Sequence, residues 1–599
     1  MTAPLDLGAW IRALARAGEL ATVEVEVDAE LEVAEIHRRV IAAGGPALLF
    51  PRVRGSPFPL VTNLFGTRAR VRRAFGERPE ELVAALARLP RELLPPSLGR
   101  LWRQRGLLAA LARVGGRRRA GDPVRAIVES PPRLSHLPAT KSWPRDGGRY
   151  FTLPLVYTEH PDTGVSNLGI YRLQLFDDAT TGWHAQIGKG GGFHLAAAEA
   201  HGRPLPVNVH LGGPPALVLA ALAPLPENVP ELLLASLVLG GKLPLVRNPA
   251  GPLPLIGGTE IVLVGEVAPG VRRPEGPFGD HYGYYSEIHD YPVFTCRAVL
   301  RREGAVFPAT VVGKPRQEDF YLGDYVQELL APVLPLAMPA VRSLWSYGET
   351  GYHALAAAVV HERYEREAMA SAFRILGEGQ LSLTKFLLVT DRPVDLRDFR
   401  ATLTHILARA DFRTGFFLFP NLAMDSLDYA GPRIHTGSKG VLLGLGDPVR
   451  ALPDSFTGTP RSGVAGVAVF SPGCLVVQGP AHAADPAAAG RIAADPAFAA
   501  WPLLVLTDDA ARAARSVTNF LWTTFTRFDP AADVHAAATS VAGNQLLRRP
   551  PILIDVRRKA GYPAELFCDP ETAAKVDRRW REYFPAGMEA GDSDRGHLD

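Results

Sequence analysis

The sequence predicts a mixed α/β and β protein, with an N-terminal α/β domain, a central β domain and a C-terminal α/β domain. Three observations predict it. Helix and strand periodicities alternate over the first 80 or so residues. Short β-type runs separated by glycine and proline dominate from about Ser130 to Val312. Alternating apolar strands and helices return after Lys314. At 599 residues the chain exceeds one ordinary core, and about three to five domains are expected.

The elements follow in order. LGAWIRALARAG has helical spacing, ATVEVEVD alternates, LEVAEIHRRVIAAGG reads as a helix and PALLF as a buried strand. From Arg91 to Arg125 the chain turns basic and helix-prone (LLPPSLGRLWRQRGLLAALARVGGRRRAGDPVR), with Trp102 and several leucines interleaved. The plain reading is a solvated helical excursion with a basic loop. The functional reading is contact with an anionic membrane surface or a lipophilic substrate. FTLPLVYT, PLPVNVHLG, GTEIVLVGEV and DYPVFTCRAVLRR read as strands of a barrel or sandwich, with HLAAAEAHG as a helical insert. MPAVRSLWS, HALAAAVVHERYEREAMASAF, LTKFLLVTD and LRDFRATLTHILARA then make an α/β pattern. The last section reads as helix and loop with a frayed end, AGDSDRGHLD, and no internal repeat is visible. The sections are 1–129, 130–313, 314–483 and 484–599, the first carrying the basic helical insert and the last a helical extension and tail.

Composition narrows the function. A hydrophobic content of 47% and a charged content of 21% describe a soluble globular chain, and a formal charge of +3 is too small for its size to point to nucleic acid. Eight lysines stand against 57 arginines, so each retained lysine is informative. Cys296, Cys474 and Cys568 are far apart and lack metal-ligand spacing, which fits a reducing cytoplasm. The N-terminus has no signal-peptide core. The most apolar region is broken by prolines, Glu227 and Glu231, and falls short of the roughly 20 apolar residues of a membrane span.

Four stretches carry chemistry. SNLGIYRLQ sets Asn167 and Arg172 on a strand, and WHAQIGKGGGFHLAAAEAHG runs Lys189 and its glycines into a helix. PENVPELLL starts a helix at Glu231, and EGPFGDHYGYY places Glu275 and Asp280 five residues apart with tyrosines behind. GKGGG lacks the spacing of a nucleoside-triphosphate loop, yet a glycine-rich turn opening a helix can seat a phosphate. Asn167 and Glu231 supply hard oxygens suited to Mn²⁺ or Mg²⁺, ions that commonly share a phosphate and water. Singly, such residues are more often a turn asparagine and a first-turn acid. Arg172 presents a fork for a substrate carboxylate, and two carboxylates beside it can divide the work, one ionised and one delivering a proton.

Taken in order, these motifs resemble the UbiD-type decarboxylases, which use prenylated FMN. GEL near residue 19, LEVAEIHRRV, GGPALLF and NLFGT resemble that family's N-terminal domain, and VVGKPRQEDFYLGDY, LSLTKFLLVTD and HTGSKGVLLGLGD its C-terminal domain. The resemblance implies a central split β-barrel of the flavin-reductase kind and a C-terminal α/β domain used in dimer contacts. It implies Asn167 and Glu231 as metal ligands. It places Ile170, Tyr171, Arg172, His184, Ala185, Gln186, Lys189 and Gly190 along the flavin, with Arg172, Glu275 and Asp280 as the catalytic network. Asp280 stands at the proton-donor position, with burial and the nearby negative charge expected to keep it protonated. The implied cofactors are prenylated FMN, Mn²⁺ or Mg²⁺, and K⁺ as a further cation, and the implied partners are a flavin prenyltransferase and further copies of the chain. Two departures stand out. Gly188 replaces a histidine that many members carry, with His184 or His194 as substitutes or a metal held by two side chains and the phosphate as the alternative, and the acid at 280 is aspartate where some members have glutamate. The expected substrate is an aromatic acid of quinone-precursor type, a dihydroxynaphthoate of menaquinone synthesis. A polyprenyl-4-hydroxybenzoate and a catalytically silent flavin-binding protein are the alternatives.

Overall fold

The structure is a computed structural model that describes residues 3–592 except 96, 186–189, 226–228, 315 and 462, with residue 101 described by its backbone alone. Two compact units result. One holds the chain up to Leu329 and the segment returning at Glu565, and the other is Leu330–Ala564. The mixed α/β and β architecture expected from the sequence is present, built on several sheets.

In the first unit, Leu20–Thr22, Ala47–Phe50, Leu60–Thr62 and Phe307–Pro308 form a four-stranded mixed sheet. The central part is a nine-stranded antiparallel sheet. Its order runs Tyr150–Phe151, Leu173–Leu175, Thr180–Trp183, His289–Arg301, Ile261–Glu275, Leu205–Leu211, Pro154–Glu159, Ser166–Ile170, and Ile127–Glu129 pairs with His289–Arg301. Ile36 and Val40 from the helix Glu32–Ala42 share one buried core with Leu48 and Phe50 of the small sheet and Val207, Val209 and Leu263 of the large one. The sequence boundary at residue 129 therefore falls inside a continuous core.

The helix Glu32–Ala42 buries charge as well as apolar surface. Glu35 receives hydrogen bonds from Arg38 at 2.7 Å and Arg39 at 2.8 Å. Glu32, 1% exposed, receives Lys575 Nζ at 2.8 Å together with Arg579 and the Tyr583 hydroxyl. Those three partners lie on the helix Pro570–Tyr583 of the returning segment. The segment also buries Lys314 against Glu565 at 3.1 Å, and Leu566 N donates to Gly283 O at 3.1 Å. Within the stretch expected to fray, Gly591 N donates to Arg39 O at 3.0 Å, and residues 593–599 lie outside the described residues.

The second unit corrects two expectations. The section from residue 484 is a sheet-bearing section and no helical extension, since Leu503–Thr507, Val534–Ala542 and Gln545–Asp555 are strands. It also completes an internal repeat. The sheets Val341–Ser346, Leu355–Val360, Phe386–Thr390, Phe416–Ala423, Thr436–Gly444 and Gly466–Ser471, Cys474–Gln478, Leu503–Thr507, Val534–Ala542, Gln545–Asp555 share the order 1-2-3-5-4. They also share the same pattern of antiparallel, parallel, parallel and antiparallel pairing. Even a detail recurs. Asp391, just past the third strand of the first sheet, accepts Gly446 N at 2.9 Å, and Asp508, at the same place in the second, accepts Arg558 N at 2.8 Å. The repeat is one of topology, carried by apolar strands of different sequence, and only LLVTDR against LVLTDD shows it along the chain. No helix among the described residues is long and apolar enough to cross a membrane.

Candidate active site

The strand Ser166–Ile170 ends beside two helix N-termini, Gly190–Ala200 and Glu231–Leu239. Asn167 is buried there at 8% exposure, and a Cβ built on Gly190 would stand 2.0 Å from its Oδ1, so only glycine lets the helix start so close. The Glu231 carboxylate accepts Leu168 N at 2.9 Å, and burial raises its pKa. The Tyr171 hydroxyl accepts Gly191 N at 3.1 Å, and its ring stands edge-on to Trp183. Asn167, Tyr171, Gly190 and Glu231 thus gather into one polar cradle with two oxygen donors and helix N–H groups around it. Gln186 and Lys189, also assigned to the cofactor, lie outside the described residues, as does Gly188.

Tyr171 and Arg172 are consecutive in the link between two strands, and their side chains meet different partners. Tyr171 serves the cradle, whereas Arg172 enters a charged cluster. Arg172 Nε donates to Glu275 Oε1 at 2.9 Å and Nη2 to Oε2 at 3.1 Å, while Nη1 bonds Asp280 Oδ2. Nη2 also donates to Ser286 Oγ at 3.2 Å, and the guanidinium lies 4.5 Å from the Phe278 ring centroid. His184 Nδ1 is 3.2 Å from Glu275 Oε2, and its ring packs on Tyr291 at 4.2 Å. Ala185 is buried behind it, and Ile170 is half-buried at the strand end.

The loop holding the two acids is fixed by backbone bonds. Gly276 adopts φ +103, and a Cβ there would stand 2.9 Å from Glu287 O. Gly276 N donates to Gln174 Oε1 at 2.9 Å, and Gly279 N to Asp146 Oδ1 at 2.8 Å. Ser286 Oγ accepts Phe278 N at 3.1 Å. Tyr282, Tyr284 and Tyr285 are buried behind the loop.

Burial raises the Glu275 carboxyl, but Arg172 and His184 outweigh it and hold the pKa at about 2. Asp280 corrects the expectation of a resident proton. Burial does push its pKa upward, yet Arg172 and His281 pull harder and leave it well below the usual range. His281 Nδ1 lies 2.6 Å from Asp280 Oδ1. A cation shared between two carboxylates keeps both ionised, and the repulsion between them does not prevail. Burial, followed by the neighbouring Arg172, lowers His184. Since His184 is committed to Glu275, it joins the charged cluster. His194 instead pairs with Thr158 Oγ1 at 2.8 Å, and Thr158 is the cross-strand neighbour of Asn167. Burial lowers His194 to about 4, so it is neutral at pH 7. Among the described residues no three of His, Cys, Asp and Glu form a metal-binding group.

The structure adds residues that motif spacing missed. Phe278 and Ser286 lie in or beside the quoted loop, where their contact with Arg172 could have been guessed. His281, next to Asp280 in the same loop, belongs with them, whereas Tyr291 and Asp146 as a support for Gly279 carry no local signal.

Comparison with known proteins gives the family. Three family models match in chain order: the 3-octaprenyl-4-hydroxybenzoate carboxy-lyase N-terminal domain over residues 11–89, its Rift-related domain over 117–315 and its C-terminal domain over 320–444. A Chlamydia pneumoniae protein, named as one of the subunits of a 4-hydroxybenzoate decarboxylase, is 48% identical over 567 residues, covering 95% of this chain and 96% of that one. The UbiD-class enzyme HmfF of Pelotomaculum thermopropionicum, solved in complex with FMN, is 26% identical with a TM-score of 0.62, covering 74% of this chain and 95% of its own. Vanillic acid decarboxylase of Sedimentibacter hydroxybenzoicus in its closed form shares the fold at 22% identity and a TM-score of 0.65, over 77% of this chain and 96% of that one. The domains matched and the length of these relatives together place the chain in the UbiD family of carboxy-lyases.

Proposed function

We propose that this protein removes CO₂ from a hydroxylated aromatic acid with prenylated FMN, replacing the carboxylate by a proton. The observation that carries the reading is Arg172 bridging Glu275 and Asp280 directly beside the cradle of Asn167, Tyr171, Gly190 and Glu231. The nine-stranded sheet is read as the split barrel that seats the flavin.

The residues fit the cofactor. Asn167 Oδ1 and the Glu231 carboxylate would hold Mn²⁺ or Mg²⁺ against the flavin phosphate, and the N-terminal N–H groups of the helix from Gly190 would face the same anion. When bound, prenylated FMN supplies the electron sink that loss of CO₂ from an aromatic carbon requires. The chain does the rest. Glu275 fixes the orientation of Arg172 and stays ionised. The Arg172 corner that Asp280 occupies is where a substrate carboxylate would compete. Displaced from Arg172, Asp280 loses its main stabilising charge, its pKa rises, and it takes a proton from solvent to deliver to the ring carbon that lost CO₂. Atoms balance as carboxylate plus proton giving CO₂ and the C–H product.

The substrate reading has two branches. Motifs of the long form favour a dihydroxynaphthoate, whereas the name of the Chlamydia pneumoniae relative supports a hydroxybenzoate. That name also supports assembly with other polypeptides, and a flavin prenyltransferase would supply the cofactor. The test is CO₂ release by flavin-loaded protein from dihydroxynaphthoate, 4-hydroxybenzoate and prenylated 4-hydroxybenzoate. Release from one of them selects the branch, and a flavin spectrum without release from any aromatic acid overturns catalysis.

A further inference from the structure

The basic stretch between residues 90 and 116 lies between the matched N-terminal and Rift-related domains, so it belongs to neither. It folds as the helices Leu98–Arg103 and Arg105–Leu111 and runs into the strand Gly116–Arg119. That strand pairs in parallel with Leu243–Val246, and Gly115 N donates to Ser236 Oγ at 3.0 Å on the helix that begins at Glu231. The insert is thus anchored at its C-terminal end, while its helices stand out in water.

Their exposed side is apolar where a solvated helix would be polar. Leu94 is 64% exposed, Leu98 87% and Trp102 69%, with Leu108 and Leu111 also exposed. Arg91, Arg103, Arg105 and Arg113 of the stretch are exposed, as are Arg117, Arg118 and Arg119 of the strand it runs into, and none forms an ion pair among the described residues. The one acid of the stretch, Glu92, accepts from Gln104 and faces Arg88, and Asp122 beyond it accepts Val124 N and Gly258 N.

We infer that this insert is a docking surface for an anionic lipid bilayer. A second copy of the chain would set arginines against arginines across a two-fold interface. A nucleic acid would satisfy the arginines and leave the leucines and Trp102 in water. An anionic membrane meets both demands. Phosphate headgroups receive the guanidinium groups, and the headgroup–acyl boundary receives the leucines and the indole. Trp102 also stacks against the Arg105 guanidinium at 5.0 Å, a pairing of ring and cation suited to that boundary. The inference is independent of the reaction assigned above.

The test is sedimentation of the full chain with phosphatidylcholine vesicles, with and without phosphatidylglycerol. Binding is expected only with phosphatidylglycerol, and it should weaken as salt rises. Arg117→Glu/Arg118→Glu/Arg119→Glu should lower the partition by about tenfold or more. Leu98→Ser/Trp102→Ser should lower it comparably, because the apolar anchor is lost. All five positions are exposed, so unchanged circular dichroism is expected and is checked first. Three outcomes would overturn the inference: no binding to phosphatidylglycerol vesicles, equal binding by both variants and parent, or a fall in oligomeric mass in the Leu98/Trp102 variant, which would assign the face to a second copy.

Discussion

Arg172 grips Glu275 through both carboxylate oxygens, at 2.9 and 3.1 Å, and still reaches Asp280 with its remaining corner. The pair is buried, with Glu275 at 0% exposure and Arg172 at 9%. Breaking such a pair leaves a charge without compensation, which typically costs about 3–5 kcal/mol.

Glu275→Gln should therefore lower thermal stability at pH 7 and cut turnover by about two orders of magnitude or more. The sign of its pH dependence follows from the depressed pKa. Stability from Glu275 is fully present above its unfolded value near 4.5 and is lost as pH falls toward about 2. Denaturation midpoints for parent and variant should differ at pH 7 and converge between about pH 3 and 2. A gap that persists unchanged in acid would mean that charge is irrelevant there.

Asp280→Asn keeps shape but cannot cycle a proton. Flavin loading and fold should be retained, with turnover reduced by about two or more orders of magnitude. In D₂O the parent should place deuterium on the carbon that lost CO₂, and the variant should stall before that step. Near-normal turnover by a fully loaded variant would remove Asp280 from the chemistry.

Glu231→Ala removes one of the two hard oxygens of the cradle. Metal and flavin content of the purified protein should both fall, because the phosphate loses its cationic bridge. Elemental analysis and the flavin absorbance read the two losses separately. Unchanged content of both would move the metal elsewhere.

Deleting the segment from Glu565 onward should destabilise the first unit, although its C-terminal position invites the opposite guess. Glu32 would lose Lys575, Arg579 and Tyr583 at once and keep only the Asp28 N–H, and the helix Glu32–Ala42 would lose the face those residues cover. Soluble yield and protease resistance should fall sharply. A milder change, Tyr583→Phe, should cost about 1.5–3 kcal/mol for one hydrogen bond to a charged group.

How far local pattern reaches is visible in particular residues. Alternation in GTEIVLVGEV and DYPVFTCRAVLRR marked the strands that became Ile261–Glu275 and His289–Arg301, and Glu231 was legible as the start of a helix. The repeated sheet was not legible. Strand order is a set of pairings between segments far apart in sequence, and apolar strands of any composition can satisfy it.

The sequence by itself determined the family, the β-rich centre and the motifs on which the site is expected, because periodicity and motif spacing are local properties of the chain. Only the tertiary structure decided that Arg172 serves both Glu275 and Asp280, more than a hundred residues away. That closure decided the charge of Asp280. Burial pushes its pKa up, and the Arg172 guanidinium within hydrogen-bond reach, with His281 beside it, pulls it down further than burial raises it. It decided also that the helix Pro570–Tyr583 completes the first unit, since the buried Glu32 finds its cations Lys575 and Arg579 there, more than five hundred residues along the chain.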